Sequence, residues 1–127
     1  MSKRAVASPG APKAVGPYSQ AIVAGGFVFC SGQIPLDPIS GKLVESEDVA
    51  AHVRRAMDNL QAALEAAGSG LDKLVKVTIF MADMRDYLEV NKAYAAYAGD
   101  VPPARTAVQV AMLPLKARVE IEAIALA

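Results

Sequence analysis

Three ionisable side chains stand in apolar surroundings near the end of this chain. Arg105 lies in Pro-Ala-Arg-Thr-Ala-Val, and Glu120 and Glu122 lie in Val-Glu-Ile-Glu-Ala-Ile-Ala. An arginine offers a planar fork of N–H donors that holds a carboxylate by two parallel hydrogen bonds, which lysine cannot do. A carboxylate in the same pocket can serve as general acid or base. The plainer readings are a solvated edge arginine or a structural ion pair, and for Glu122 a surface pair with Lys116 or Arg118. Glu120 is a candidate acid or base only if it shares a pocket with Arg105.

Other side chains carry weaker chemistry. Tyr18 follows Gly16-Pro17 and is either a half-buried aromatic with a wet hydroxyl or part of a site. Ser31 precedes Gly32-Gln33-Ile34-Pro35 rather than a helix, so it is no nucleophile elbow. Cys30, in Val-Phe-Cys, reads as an inert buried thiol. His52 is the only histidine and has no companion at metal-ligand spacing; a surface position and no metal site are expected. Asn91 falls inside a helix, facing either solvent or a site.

The elements that must position these residues follow from pattern. Ser19–Ala24 and Phe27–Gln33 are strand-like and flank Gly25-Gly26, a hairpin signature. Ala5–Ala7 allows a short edge strand. Ser46–Ala67 predicts a helix with Ser46 as N-cap, an apolar stripe of Val49, Val53, Met57, Leu60 and Leu64, and Gly68 as its end. Leu74–Met81 alternates as a strand. Asp86–Ala98 predicts a second helix with Leu88, Val90, Tyr94 and Tyr97 on its packed face and Gly99 as its stop.

After Pro102-Pro103, Thr106, Val108 and Val110 alternate with Arg105, Ala107 and Gln109 in a strand. A last strand runs Arg118–Leu126. If these two strands paired antiparallel, the length of the loop between them would decide whether Arg105 and Glu120 share a face. Two helices cover one face of such a sheet. Its strands are apolar on both sides, so the other face is expected to close against copies of itself.

Composition narrows the function. The 127 residues make one domain, 1–127. Thirteen basic and thirteen acidic residues cancel, and no run of like charges forms a nucleic-acid arm. Hydrophobic residues make up 54% and the mean hydropathy is +0.29, apolar for a small soluble monomer, so subunit contacts are expected. A single cysteine excludes an internal disulfide. No secretory leader or membrane-spanning run is read, and a soluble, cytoplasmic protein without membrane or nucleic-acid partners is expected.

Assembled in order, these pieces resemble the RidA/YjgF family of enamine and imine deaminases. The motifs are Gly16-Pro17-Tyr18-Ser19-Gln20, Ser31-Gly32-Gln33-Ile34-Pro35, Val90-Asn91 before Tyr94, Pro103-Ala104-Arg105, and Val119-Glu120-Ile121-Glu122-Ala123-Ile124-Ala125. The resemblance implies a chorismate-mutase-like α+β fold: a mixed sheet with two helices on one face, trimeric with a central barrel and clefts between subunits. It implies that Arg105 holds the substrate carboxylate and Glu120 positions and activates water. Tyr18 and Ser31 would line the cleft, with Asn91 supporting from the second helix. Many members carry cysteine two residues after the arginine; here the position is Ala107, which serves as well if the position acts through its backbone N–H, whereas any redox or modification role of a thiol is absent. The implied reaction hydrolyses small 2-imino acids such as 2-aminoacrylate, 2-iminopropanoate and 2-iminobutanoate to 2-keto acids and ammonia, without a cofactor. The alternative is a non-catalytic module that uses the same clefts to bind small carboxylates or proteins, chaperone-like or translation-modulating.

Overall fold

Gly25 and Gly26 adopt φ of 60° and 84°, the left-handed conformation a tight hairpin turn requires and glycine reaches without steric cost. They join β2 (Ala21–Ala24) to β3 (Phe27–Gln33), as the sequence predicts. The computed structural model describes residues 2–127, and β1 (Arg4–Val6) edges β2. The remaining elements are α1 (Val49–Ala66), β4 (Leu74–Met81), α2 (Tyr87–Ala98), β5 (Ala104–Gln109) and β6 (Val119–Leu126). The sheet runs β1-β2-β3-β6-β4-β5. Only β4 and β5 are parallel, which obliges the chain between them to cross over, and α2 is that crossover.

The expected pairing of the last two strands does not form. β4 lies between them, parallel to β5 and antiparallel to β6. The reason lies in the connection. Val110 donates to the Met81 carbonyl at 2.9 Å, and Arg118 accepts from Ala82 at 3.0 Å, so residues 110–118 pass over the end of β4. Leu115 and Lys116, at φ 56° and 58° beside Pro114, make the bend.

Both helices pack on one sheet face. Val28, Val77, Ile79, Met81, Val119, Ile121 and Ala125 meet Val53, Met57, Leu60 and Leu64 of α1 and Val90 of α2, all fully buried. Leu88 does not join them and is 77% exposed, because it stands about 160° around the helix from Val90. Tyr97 is half-buried, its hydroxyl 3.4 Å from Asp58 Oδ1.

The helix start is two residues later than predicted. Asp48 caps α1, accepting from Ala50 N–H at 3.0 Å, while Ser46 accepts from Asp48 N–H one turn earlier. The same loop explains His52, which is buried rather than at the surface: its Nε2 lies 2.7 Å from the Ser46 carbonyl. Among the described residues, no helix is long and apolar enough to cross a membrane.

A buried amide fastens the loop after β3 to α1. Asn59 Nδ2 donates to the carbonyls of Leu36 at 2.9 Å and Ile34 at 3.3 Å, and Oδ1 accepts from Arg55 Nη2 at 3.0 Å. Asn59→Ala leaves these partners without their bonds and is expected to cost about 2 kcal/mol. A lowered urea midpoint at unchanged m-value is the readout; an unmoved midpoint rejects this role for Asn59.

Candidate active site

Arg105 is the second residue of β5, directly after the Pro102-Pro103 pair that sets where the strand begins. It pairs with Val77 of β4, and Val77 pairs with Ala123 of β6, so the three share the helix-covered face. Its guanidinium carbon sits 5.3 Å from the centre of the Tyr94 ring and 5.8 Å from that of Tyr87. Nη2 donates to the Tyr87 hydroxyl at 3.1 Å. The ion pairs among the described residues are Arg85–Asp83 and Arg118–Asp86, so this half-buried cation has no carboxylate partner of its own.

Tyr87, Asn91 and Tyr94 fall at i, i+4 and i+7 along α2, one face of a helix. Asn91 Oδ1 and the Tyr94 hydroxyl are buried without a hydrogen-bond partner. Burial raises the Tyr94 phenol above its usual range, and the neighbouring Arg105 charge offsets part of that rise. Ala107, paired with Ile79, shares the Arg105 face and packs against the core.

Glu120 stands on the other face. It pairs with Phe80, three residues from Val77, so its side chain points away from the helices and from Arg105 of the same chain. Burial, and secondarily the charge of Glu122, push its carboxyl above the ordinary carboxylate range. Beside it, β3 departs from regular pairing between Cys30 and Gln33. A Cβ at Gly32 would stand 2.9 Å from Glu120 Cδ and closer still to Oε2, so the carboxylate lies directly over bare backbone. Ser31 donates to the Ser19 carbonyl at 2.6 Å, and Tyr18, half exposed, accepts from Val15 N–H at 3.3 Å. Glu122 is exposed but unpaired with the expected cations, since Arg118 is held by Asp86 and the Glu47 carbonyl.

The residues thus divide into two half-sites: Arg105, Asn91 and Ala107 on the helix side at the sheet edge, and Glu120, Ser31 and Gly32 on the open side. The open side is also apolar, with Phe27, Phe29, Val108 and Leu126 all more than a third exposed.

Residues 9–127 match the model of the family described as Endoribonuclease L-PSP. The chain belongs to this family, the RidA/YjgF proteins. A RutC family protein of Pyrococcus horikoshii is 47% identical, with 97% of each chain covered. The 2-iminobutanoate/2-iminopropanoate deaminase of Salmonella typhimurium is 44% identical, with 98% of each covered. The crystal structure of a Rid family protein of unknown function from Yersinia pestis superposes with a TM-score of 0.95 at 44% identity, covering 99% of this chain and 100% of that one.

Sequence reasoning missed three participants in this RidA/YjgF chain. Tyr94 reads as a core residue and Tyr87 escapes notice, although their seven-residue spacing places both on one helical face. Gly32 reads only as a member of a strand and of the Ser31–Pro35 motif, whereas the Glu120 carboxylate occupies the space its missing side chain leaves. Cys30, by contrast, is as expected: burial pushes its thiol up to about 12. Alkylation of native protein by iodoacetamide at pH 8 should therefore run at least about a hundredfold slower than that of the urea-unfolded chain, followed by intact mass. Comparable rates would mean an open, reactive thiol.

Proposed function

We propose that this protein is a hydrolytic deaminase of small 2-imino acids, and of their enamine tautomers, that yields 2-keto acids and ammonia. The observation that carries this reading is the Arg105 guanidinium, half-buried, stacked on two tyrosine rings and free of any carboxylate among the described residues. The activity named for the Salmonella relative supplies the substrate class.

The two half-sites face away from each other within one chain, so this reading requires a second copy. We place the substrate in a cleft where Arg105 of one protomer meets Glu120 of its neighbour, in the trimer with a central barrel that the resemblance implies. The apolar open face, too large to leave wet in a small protein, would be covered in the same assembly.

In that cleft Arg105 fixes the carboxylate and so orients the C=N carbon. Glu120 takes a proton from water as its oxygen attacks C2, giving a carbinolamine. The same carboxyl returns the proton to nitrogen, then takes the hydroxyl proton as the C=O forms and the C–N bond breaks, and passes it to the departing ammonia, which leaves as ammonium. The imine carbon is already electrophilic once its nitrogen is protonated, so positioning supplies most of what the reaction needs, several kcal/mol of barrier. A carboxyl held above the ordinary range by burial and by Glu122 is a stronger base than an ordinary carboxylate once ionised.

The test is keto-acid release from an imine generated in place by an amino-acid dehydratase, with and without this protein. Arg105→Ala should lose at least about a hundredfold in kcat/KM while light scattering still reports an unchanged assembly. Full activity in that variant overturns the assignment. Saturable binding of small carboxylates with imine decay at its uncatalysed rate would return the non-catalytic reading.

The pH profile adds a second check. Because Glu120 must be ionised to act, kcat/KM should fall with falling pH along a limb centred above the ordinary carboxylate range. Glu120→Gln should be slow at every pH and lack that limb. Gly32→Ala should displace only the flexible end of Glu120, lowering kcat about tenfold or more at near wild-type thermal stability; unchanged kcat rejects the role given to that carboxylate's position.

A further inference from the structure

We propose that the Tyr87 hydroxyl is an additional donor for the substrate carboxylate, acting beside the fork of Arg105 and extending its reach. The proposal rests on the carboxylate-binding half of the function given above, and it goes beyond the roles assigned there to Arg105 and Glu120.

A phenol oxygen accepts through its lone pairs and donates through one proton. In this structure the oxygen accepts from Arg105 Nη2 at 3.1 Å, and no acceptor among the described residues takes the proton. Tyr87 is 36% exposed, so that proton faces accessible space beside the guanidinium. Accepting from a cation polarises the hydroxyl and strengthens it as a donor. An anion drawn to Arg105 therefore meets a row of donors: the guanidinium N–H groups, and then the phenol O–H. A 2-imino or 2-keto carboxylate, with two oxygens and four acceptor sites, is the ligand such a row fits.

Tyr94 does not share this role. It is only 5% exposed and its ring backs the guanidinium from the core side. The ring of Tyr87 alone would supply the same cation–π support, so the hydroxyl is the feature that packing leaves unexplained. Tyr87 also opens α2 directly after the turn Met84–Asp86, and Asp86 is held by Arg118, so the start of the helix that carries it is tied to the chain before β6.

Tyr87→Phe removes the hydroxyl and keeps the ring. Wild type and variant are titrated with 2-oxobutanoate, a stable product-like acid that needs no turnover, and with 2-oxobutanamide, which lacks the anionic carboxylate. The oxo acid should bind the variant about five- to tenfold more weakly, and KM for the imino acid should rise by the same factor with kcat within twofold. The amide should bind both proteins equally poorly. Unchanged affinity and KM would make Tyr87 a packing residue, and tighter binding would mean that its hydroxyl competes for the fork; either result overturns the proposal. If wild type binds the oxo acid in a Tyr87-dependent way but does not accelerate imine hydrolysis, the deaminase reading fails and this one stands. If it binds no oxo acid, both fail.

Discussion

A cation that the fold does not neutralise is the constraint on which the rest of this structure depends. Taking a guanidinium partly out of water is costly unless something replaces its hydration. Here the replacement is two aromatic faces and one phenol oxygen rather than a carboxylate. Stacking of this kind contributes on the order of 1 kcal/mol per ring and leaves most of the N–H donors unspent. A salt bridge would stabilise the protomer more and leave less for a ligand. Asp83 and Asp86, just before the helix that carries Tyr87, are both committed to other arginines.

The parity of the strands turns this local feature into a constraint on assembly. Once β4 inserts between β5 and β6, the pairing of Val77 with both Arg105 and Ala123 sends Glu120 to the opposite face. No rotamer brings its carboxylate through a sheet to the guanidinium of the same chain. The proposed function therefore requires the two groups to meet across copies, and the exposed Phe27, Phe29, Val108 and Leu126 on the Glu120 side would give such copies a reason to associate. On that proposal, catalysis and assembly make the same demand on the open face.

Much of this fold was legible in the residues. The bounds of β3 and β4 follow from alternation punctuated by glycine and proline, and the α1 stripe from Val49 to Leu64 is buried as its period requires. What escaped was non-local. Ser46 and Asp48 are both good capping residues, and only the loop's path decides that Asp48 caps while the Ser46 carbonyl meets His52. Strand adjacency was misjudged because sequence neighbours pair often but not always, and a loop that climbs over the end of β4 looks locally like one that turns back. Arg105 and Glu120 were recognisable as chemistry, but their separation by the sheet depends on a strand thirty residues upstream.

The family's endoribonuclease description can be weighed against the same atoms. Cleavage of RNA by proton transfer needs an acid and a base near the phosphodiester, and a cationic surface to bring the polyanion there. The only histidine, His52, is buried with its Nε2 against the Ser46 carbonyl. Of the arginines, Arg85 and Arg118 are paired with aspartates, and the charges of the whole chain sum to zero. Arg105 stands ready for one small anion, not for a strand of them. The proposed pairing of a single guanidinium with a carboxylate from a neighbouring copy would suit a substrate whose one negative charge lies next to an electrophilic carbon, as it does in a 2-imino acid.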